Sequence, residues 1–474
     1  MLARKSFLLF VVNMAKSFLG FLSTMVIARY MGAEALGTVG YLLGLLGLLA
    51  VCLDMGFAFA HLKRVSESKE EPGALIGTFL ALKLALVLVF LIAVIFLPFV
   101  RSYLGGQPFL QSAAERYAYY IIAAFYILHS LSSVFLFTFE ARLETAKQSI
   151  TAFIGSLLSF VAKTVVAVVG FGVIALSVAY LVEPLALFIV ALLFFSGYQV
   201  ALPRRELFVS YIRYTAPLTL NTIVTMVAAN INPVLLRTFW ATVDVGYYTS
   251  VLGFAVLLDR VASTVTILFF PQASWDAARG NWQEIRRRLF VIERYVLTVL
   301  VPLGVVLIFF STEIVVAAFG SEFAPAAPIL MYMIINSILS AIFQPYSAVL
   351  YAIEKQQYLV SSNVLGLLTL IIVDVLLVPQ QMWGLSLAGL RGAGAAIALT
   401  AMTIASGFVQ VRAVGRHAKI GFYWRALLYL LAGGIMYLLL RISSGLLPLP
   451  LLVKMPLLTA FGFGAYLLTL VLLG

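Results

Sequence analysis

Residues 28–37 read Ala28-Arg29-Tyr30-Met31-Gly32-Ala33-Glu34-Ala35-Leu36-Gly37, and about 209 positions later the chain reads Leu236-Arg237-Thr238-Phe239-Trp240, reaching Val245-Gly246. In both places an arginine closes a long apolar run and a glycine opens the next. A third echo sets Glu140-Ala141-Arg142-Leu143-Glu144 against Tyr351-Ala352-Ile353-Glu354-Lys355. The offsets are nearly constant, so the chain is read as two copies of one structural unit, the plan of many membrane transporters.

Working outward, the composition fixes the solvent. The chain has 474 residues, is 63% hydrophobic and carries only 11% charged residues, with a mean hydropathy of +1.08. A soluble domain would carry about a quarter charged residues. The apolar run after Arg4 and Lys5 continues past Asn13 and Lys16 to about residue 29, which reads as a retained first span rather than a cleaved leader. The single cysteine, Cys52, excludes a disulfide within the chain.

Segments of spanning length separated by charged or Pro/Gly breaks number about fourteen. With the N-terminus in the cytoplasm, 20 Lys and Arg fall in cytoplasmic loops and 7 on the other side, while Lys16, Lys83, Lys163 and Arg260 stay inside the membrane, accounting for all 31. The positive-inside rule then predicts a multi-pass protein of the cytoplasmic membrane with both termini cytoplasmic. The net charge of +12 is thereby mostly topology, and nucleic acid is excluded as a partner.

The expected architecture is an all-α polytopic membrane protein of about 14 helices. Spans 1–6 form an N-lobe over 1–196, a cytoplasmic linker covers 197–210, spans 7–12 form a C-lobe over 211–413, and accessory spans 13 and 14 occupy 424–473. An even number of spans per lobe requires a pseudo-two-fold axis along the membrane normal, with a substrate site expected between the lobes near mid-depth.

Charges inside the bilayer cost roughly 2.5–3.5 kcal/mol each on insertion scales, so they face water or a partner. In span 1, Asn13, Ser17, Gly20 and Thr24 share a helical face beside Lys16. In span 5, Thr151, Gly155, Ser159 and Lys163 recur every fourth residue. Such stripes predict cavity lining, with interhelical hydrogen bonding as the alternative. Lys16, Lys163 and Arg260, joined by Asn13, Arg29 and Lys83, are the candidate substrate contacts. Lys83 has no stripe around it and is read equally as a snorkelling or salt-bridged residue. Glu183, beside Pro184, and Asp374, on the face of Asn363, are candidate sodium or proton sites or else counter-ions. Asp259 is a third acidic candidate and stands next to Arg260, with Ser263 and Thr264 one turn below. Asn221, Asn230 and Asn232 suit sugar hydrogen bonds or helix packing. Gly37, Gly40, Gly44 and Gly47 predict a close-packing or sliding face. The 272–289 segment, with Trp275, Trp282 and Arg286-Arg287-Arg288, reads as interfacial, its arginines explained by lipid headgroups or by topology alone.

No catalytic set and no metal site is expected. The chain lacks a GxxxxGK[ST] loop, its histidines His61, His129 and His417 are scattered, and no loop is long enough for a catalytic domain.

In order and spacing, the motifs resemble the polysaccharide-transport branch of the multidrug/oligosaccharidyl-lipid/polysaccharide flippase superfamily. The resemblance covers about 1–420 and rests on Ala28-Arg29-Tyr30-Met31-Gly32 with Leu36-Gly37, Leu53-Asp54-Met55-Gly56-Phe57, Ala216-Pro217, Val245-Gly246-Tyr247-Tyr248, and Phe270-Pro271 followed by Gly280-Asn281-Trp282. It implies a twelve-helix V-shaped bundle that alternates between inward- and outward-open forms, with an extra helix pair similar to that of the lipid II flippase. Members of that branch flip polyprenyl-linked sugars.

The expected function is translocation of a lipid-linked oligosaccharide from the cytoplasmic to the outer leaflet. No cofactor is expected beyond a coupling Na+ or H+. Expected partners are the lipid-linked oligosaccharide, membrane lipids and glycosyltransferases or a polymerase of the same pathway, around a monomer. A negative cell interior drives anions outward by about 2.3 kcal/mol per charge per 100 mV. A cation-coupled multidrug exporter of the sister branch is the alternative, disfavoured by the lysines of the first half. A membrane-embedded glycosyltransferase or polymerase is the second alternative, disfavoured by the short loops.

Overall fold

The computed structural model describes residues 2–67, 73–103, 110–446 and 450–473. Lys69 and the side chains of Arg4, Lys5, Arg101, Pro217 and Thr264 lie outside the described residues. Among the described residues, 13 helices are long and apolar enough to cross a membrane. The first of them, α1 (Leu2–Leu49), has 48 residues, about 72 Å at the α-helical rise and over twice a ~30 Å hydrocarbon core. It folds at Gly32 (φ 77, ψ 178), a conformation that a residue with a Cβ does not tolerate. Counted as two spans, it brings the crossings to the fourteen expected. Helices dominate because the bilayer offers no water to free backbone groups.

The chain divides into two compact units, Met1–Ser250 and Val251–Gly474. The first holds α1, a 3-10 turn at Ala50–Leu53, α2 (Phe57–Glu67), α3 (Gly73–Tyr103), α4 (Ala113–Ala141), α5 (Thr145–Val169), α6 (Val173–Phe194), α7 (Arg205–Phe239) and the start of α8 (Thr242–Ala278). The second holds the rest of α8, then α9 (Trp282–Phe309), α10 (Ser311–Phe319), α11 (Ala327–Ala352), α12 (Gln357–Leu377), α13 (Arg391–Ala418), α14 (Ala426–Leu446) and α15 (Leu451–Leu473). A two-residue hairpin pairs Gln381 with Ser386 and Met382 with Leu385. Its loop, Trp383-Gly384, has positive φ at both positions (51 and 80), as a type I′ turn requires.

In the first unit the glycine face of α1 meets backbone at Gly37 and side chains at Gly40, Gly44 and Gly47. A Cβ on Gly37 would stand 2.0 Å from the Thr242 carbonyl oxygen, and a Cβ on Gly246 would stand 2.0 Å from the Ala33 carbonyl oxygen. Ala33 and Thr242 are 209 positions apart, as are Gly37 and Gly246. The two contacts are therefore reciprocal under the sequence repeat, the relation an approximate two-fold axis imposes. Gly44 meets Pro233 and Gly47 meets Asn230 along the same seam.

The repeat is written into local backbone too. After α4, Leu143 (φ 58) follows a turn in which its N–H donates to Glu140 and that of Glu144 donates to Phe139. After α11, Glu354 (φ 58) donates to Tyr351 and Lys355 to Leu350. Each bond maps onto its partner at an offset of 211 positions, and both turns satisfy helix-end carbonyls by the same left-handed step.

The last two helices belong to the second unit. Gly433 of α14 lets Val301 of α9 approach to where its Cβ would be, at 2.6 Å, and Tyr466 of α15 donates to the Leu297 carbonyl of α9 at 3.1 Å.

Candidate functional site

The helix break at Asp54–Gly56 is the first polar structure inside the membrane. Its strain falls on Met55 (φ 48) and Gly56 (φ 92). The carboxylate of Asp54 accepts the N–H groups of Gly56 and Ala58, capping α2. Lys83 of α3 donates to Asp54 Oδ1 at 2.7 Å and to the Leu53 carbonyl at 3.0 Å. Ser130 reaches the same carbonyl, and Thr219 of α7 takes the Met55 carbonyl. The Leu53 and Met55 carbonyls freed at the break thus have side-chain partners, as an interrupted membrane helix needs. Lys83 is 1% exposed, so its charge is spent on Asp54 and it leaves the substrate set; of the alternatives open in sequence, the structure shows the salt bridge.

Lys163 is also enclosed. Its Nζ stands 3.7 Å from the centroid of Tyr180 of α6, and Glu183, one turn along α6, is within electrostatic reach. Glu183 accepts from Ser156 Oγ at 3.1 Å. The α5 stripe packs against protein: Thr151, Gly155, Ser159 and Lys163 are buried, the hydroxyls of Thr151 and Ser159 make no hydrogen bond among the described residues, and a Cβ on Gly155 would meet Leu187 and the Glu183 carbonyl of α6. Gly155 lacks a side chain, so α5 and α6 approach closely there.

The α1 stripe behaves differently. Asn13 and Gly20 are exposed, and Lys16, Ser17 and Thr24 are partly so. Lys16 lies near mid-span, and across from it on α4 stands His129, which is enclosed by protein while much of its surface stays accessible. Lys16 and Glu183 both act electrostatically on His129. Four helices of the first unit therefore converge on one polar region holding Lys16, His129, Glu183 and Lys163. Arg29 is exposed near the far end of the same span, about 20 Å along the helix from Lys16 at 1.5 Å per residue, so the two do not share one phosphate here.

His129 was named in sequence only as one of three scattered histidines, because a lone histidine carries no spacing signal. Its position, deep in α4 beside Ser130, Ser132 and Ser133, was the only sign. Asp54 was visible as a motif residue, yet nothing local named Lys83 as its partner.

Of the three asparagines on α7, Asn230 donates to its own helix at Met226, and buried Asn232 donates to Tyr248 at 3.0 Å. At the far end of the same helix, Arg237 donates to Gln111 at 2.7 Å and lies 3.9 Å from Glu115. These residues belong to the same membrane side in the span count. Ser112 caps α4 by accepting the Glu115 N–H, which fixes that carboxylate.

In the second unit Arg260 is exposed on α8, next to Asp259, which faces Ser337 of α11. Asp374 of α12 is fully buried, and neither of its carboxylate oxygens makes a hydrogen bond. In the interfacial segment Arg287 pairs with Glu284, Arg288 with Asp276 and Glu284, and Arg279 stacks on Trp275 at 3.3 Å. Those charges are engaged by protein. Outside the membrane, partial burial opposes ionisation of Glu144, but hydrogen bonds from Lys147 and Tyr198, with the charges of Lys147 and Arg142, outweigh it and hold its carboxyl below the usual range.

Among the described residues no three His, Cys, Asp or Glu side chains converge on a point where a metal could sit. The groups that meet in the polar region of the first unit are two lysines, an imidazole and a carboxylate.

Residues 2–274 match the family model described as polysaccharide biosynthesis protein. The Haloferax volcanii protein named as a probable low-salt glycan biosynthesis flippase, Agl15, is 25% identical over 413 residues, covering 84% of this chain and 81% of that one. Among solved structures, the lipid II flippase MurJ in an inward closed conformation superposes with a TM-score of 0.79 at 16% identity, covering 97% of each chain. An inward-facing multidrug resistance MATE family transporter gives 0.67 at 15% identity over 85% of this chain and 95% of its own. At these identities the structural likeness is one of fold.

Proposed function

Because the chain belongs to the polysaccharide biosynthesis protein family, we propose that it is a flippase moving a lipid-linked oligosaccharide from the cytoplasmic to the outer leaflet by alternating access. The observation that carries the reading is Lys16, a mid-span lysine that stays partly exposed and forms no ion pair among the described residues, while Lys83 and Lys163 are both enclosed. A mid-membrane cation that keeps its surface needs an anionic guest. The diphosphate of a polyprenyl carrier supplies one, and the curated Haloferax volcanii relative carries a glycan flippase name. The lipid tail stays in the bilayer and the head crosses through the polar region of the first unit. Glu183, within reach of Lys163, keeps the site from holding the diphosphate too tightly to release it.

The seam at Gly37 and Gly246 is the contact that must part for outward opening. At these two glycines backbone meets backbone, so no side chains interlock there. A cationic drug as substrate is disfavoured, because Lys16 is a partly exposed mid-span cation that forms no ion pair among the described residues.

The test is transport in reconstituted vesicles of a polyprenyl diphosphate oligosaccharide. Lys16→Gln is expected to abolish flipping while its melting temperature stays near that of the parent, and Lys16→Arg to keep part of the activity. Full transport by Lys16→Gln, or export of a cationic dye at the parent rate with no lipid flipping, would overturn the reading.

A further inference from the structure

Two histidines lie within helices of the first unit, and their surroundings are opposite. His61 is 0% exposed. Its Nδ1 is 2.8 Å from Tyr211 and its Nε2 2.9 Å from Thr138, with the ring stacked on Phe79 at 4.2 Å. Thr138 already donates to Val134, so Nε2 donates to Thr138 and Nδ1 accepts from Tyr211. Every polar atom of that ring has a protein partner, and the role is structural.

His129 has none of this. Its ring is stacked on Phe125, one turn earlier, at 6.1 Å and 13°, and neither nitrogen is bonded to protein among the described residues. It is enclosed yet accessible. Residue 129 is 16 residues from the start of α4 and 12 from its end, about 24 Å and 18 Å of helix, so the ring sits deep in the hydrocarbon layer. A polar ring left without partners there costs free energy unless water or a ligand supplies them.

The charged groups around it are these. Lys16 faces it from α1, Glu183 from α6 and Lys83 from α3. Asp54, at the end of the 3-10 turn, neutralises Lys83. Lys163 of α5 is in reach of Glu183. His61 of α2 bonds Thr138 of α4, more than two turns away. With Lys83 paired to Asp54 and Lys163 offset by Glu183, Lys16 and His129 remain to meet a guest.

We propose that His129 is a second contact for the anionic head of the transported lipid, donating to a phosphate oxygen in its protonated form and so adding a proton-dependent charge to the permanent one on Lys16. The proposal rests on the flippase reading above. An imidazolium offers two N–H donors, one for phosphate and one for Glu183 or water. Binding of the head is then linked to uptake of a proton, and the linkage runs both ways. Acid conditions strengthen capture, and loss of the proton weakens it, leaving Lys16 alone to hold the head.

The experiment measures affinity of the purified full chain for a polyprenyl diphosphate, with the uncharged polyprenol as control, from about pH 5.5 to about pH 8.5, the range in which imidazole titrates. The parent should bind the diphosphate roughly tenfold more tightly at the acid end than His129→Gln does, one 1.4 kcal/mol step, and the two should converge at the alkaline end. Comparing the two proteins cancels the titration of the phosphate itself. Lys16→Gln should bind more weakly throughout while keeping the parent's slope. Identical slopes for the parent and His129→Gln would overturn the proposal. Equal binding of diphosphate and polprenol by the parent at every pH would instead overturn the anionic-lipid reading beneath it. Acylation of the parent by diethyl pyrocarbonate needs no variant: the diphosphate should protect His129, and His61 should stay unmodified with or without it. Unchanged labelling of His129 on saturation with the diphosphate would count against the contact.

Discussion

Gly40 faces Thr249, whose Oγ1 lies 2.6 Å from where a Cβ on the glycine would stand. Thr249 is also the residue that the repeat, at an offset of 209, sets in the place of Gly40. A residue meets its own repeat counterpart only on the symmetry axis, so the axis relating this pair of segments runs between them. The reciprocal contacts of Gly37 and Gly246 flank the same line.

A disulfide across that line should lock the seam. The Cβ positions of residues 40 and 249 are 3.4 Å apart, close to the usual disulfide spacing of about 3.8 Å. In a Cys52→Ser background, Gly40→Cys with Thr249→Cys should cross-link under mild oxidant, stop flipping, and recover on reduction. Undiminished transport by fully cross-linked protein would show that the seam does not need to open.

Lys83 should matter for stability before it matters for transport. Removing one partner of a buried pair leaves an uncompensated charge and costs about 3–5 kcal/mol. Lys83→Met should lower the melting temperature sharply, and adding Asp54→Asn should restore part of the loss, though not the cap on α2. A Lys83→Met protein that melts like the parent but cannot flip would return Lys83 to the substrate contacts.

The two acidic candidates should separate. Glu183→Gln removes the charge facing Lys163, so melting should fall while dependence on a sodium or proton gradient is unchanged. Asp374 makes no hydrogen bond through its carboxylate, so Asp374→Asn should melt near the parent and lose gradient dependence. Retained gradient dependence in Asp374→Asn would reduce that residue to a packed acid.

The loop after α4 gives a pH test. The folded state holds the Glu144 carboxyl low, so its contribution is present above the ordinary carboxylate range and is lost as pH falls through the lowered value. Glu144→Gln should cost under about 1 kcal/mol near neutrality, since Lys147 and Arg142 are well exposed. The gap between variant and parent should close in acid. A gap that persists there would point to lost packing rather than charge.

How far the site was readable from sequence differs residue by residue. The stripe around Lys16 was visible, since i, i+4, i+7 spacing puts polar groups on one helical face wherever that face points. The same spacing around Lys163 gave the same expectation, and there the face closed on α6. Periodicity says that a face exists, and only a neighbouring helix says what covers it.

By itself the sequence determined the all-helical, many-spanning class and the two-fold repetition, because a bilayer forces backbone hydrogen bonds to close within each helix and apolar length then counts the crossings. Gly32 suits its turn by residue type, whereas nothing in the residue types of Leu143 and Glu354 announces their left-handed backbone. The tertiary structure alone decided the fate of each buried charge. Lys83 found Asp54, Lys163 found Tyr180 and Glu183, and Lys16 was left open beside His129. Desolvation and pairing depend on what lies within a few ångströms in space, and those partners come from other helices, at separations that no local pattern records.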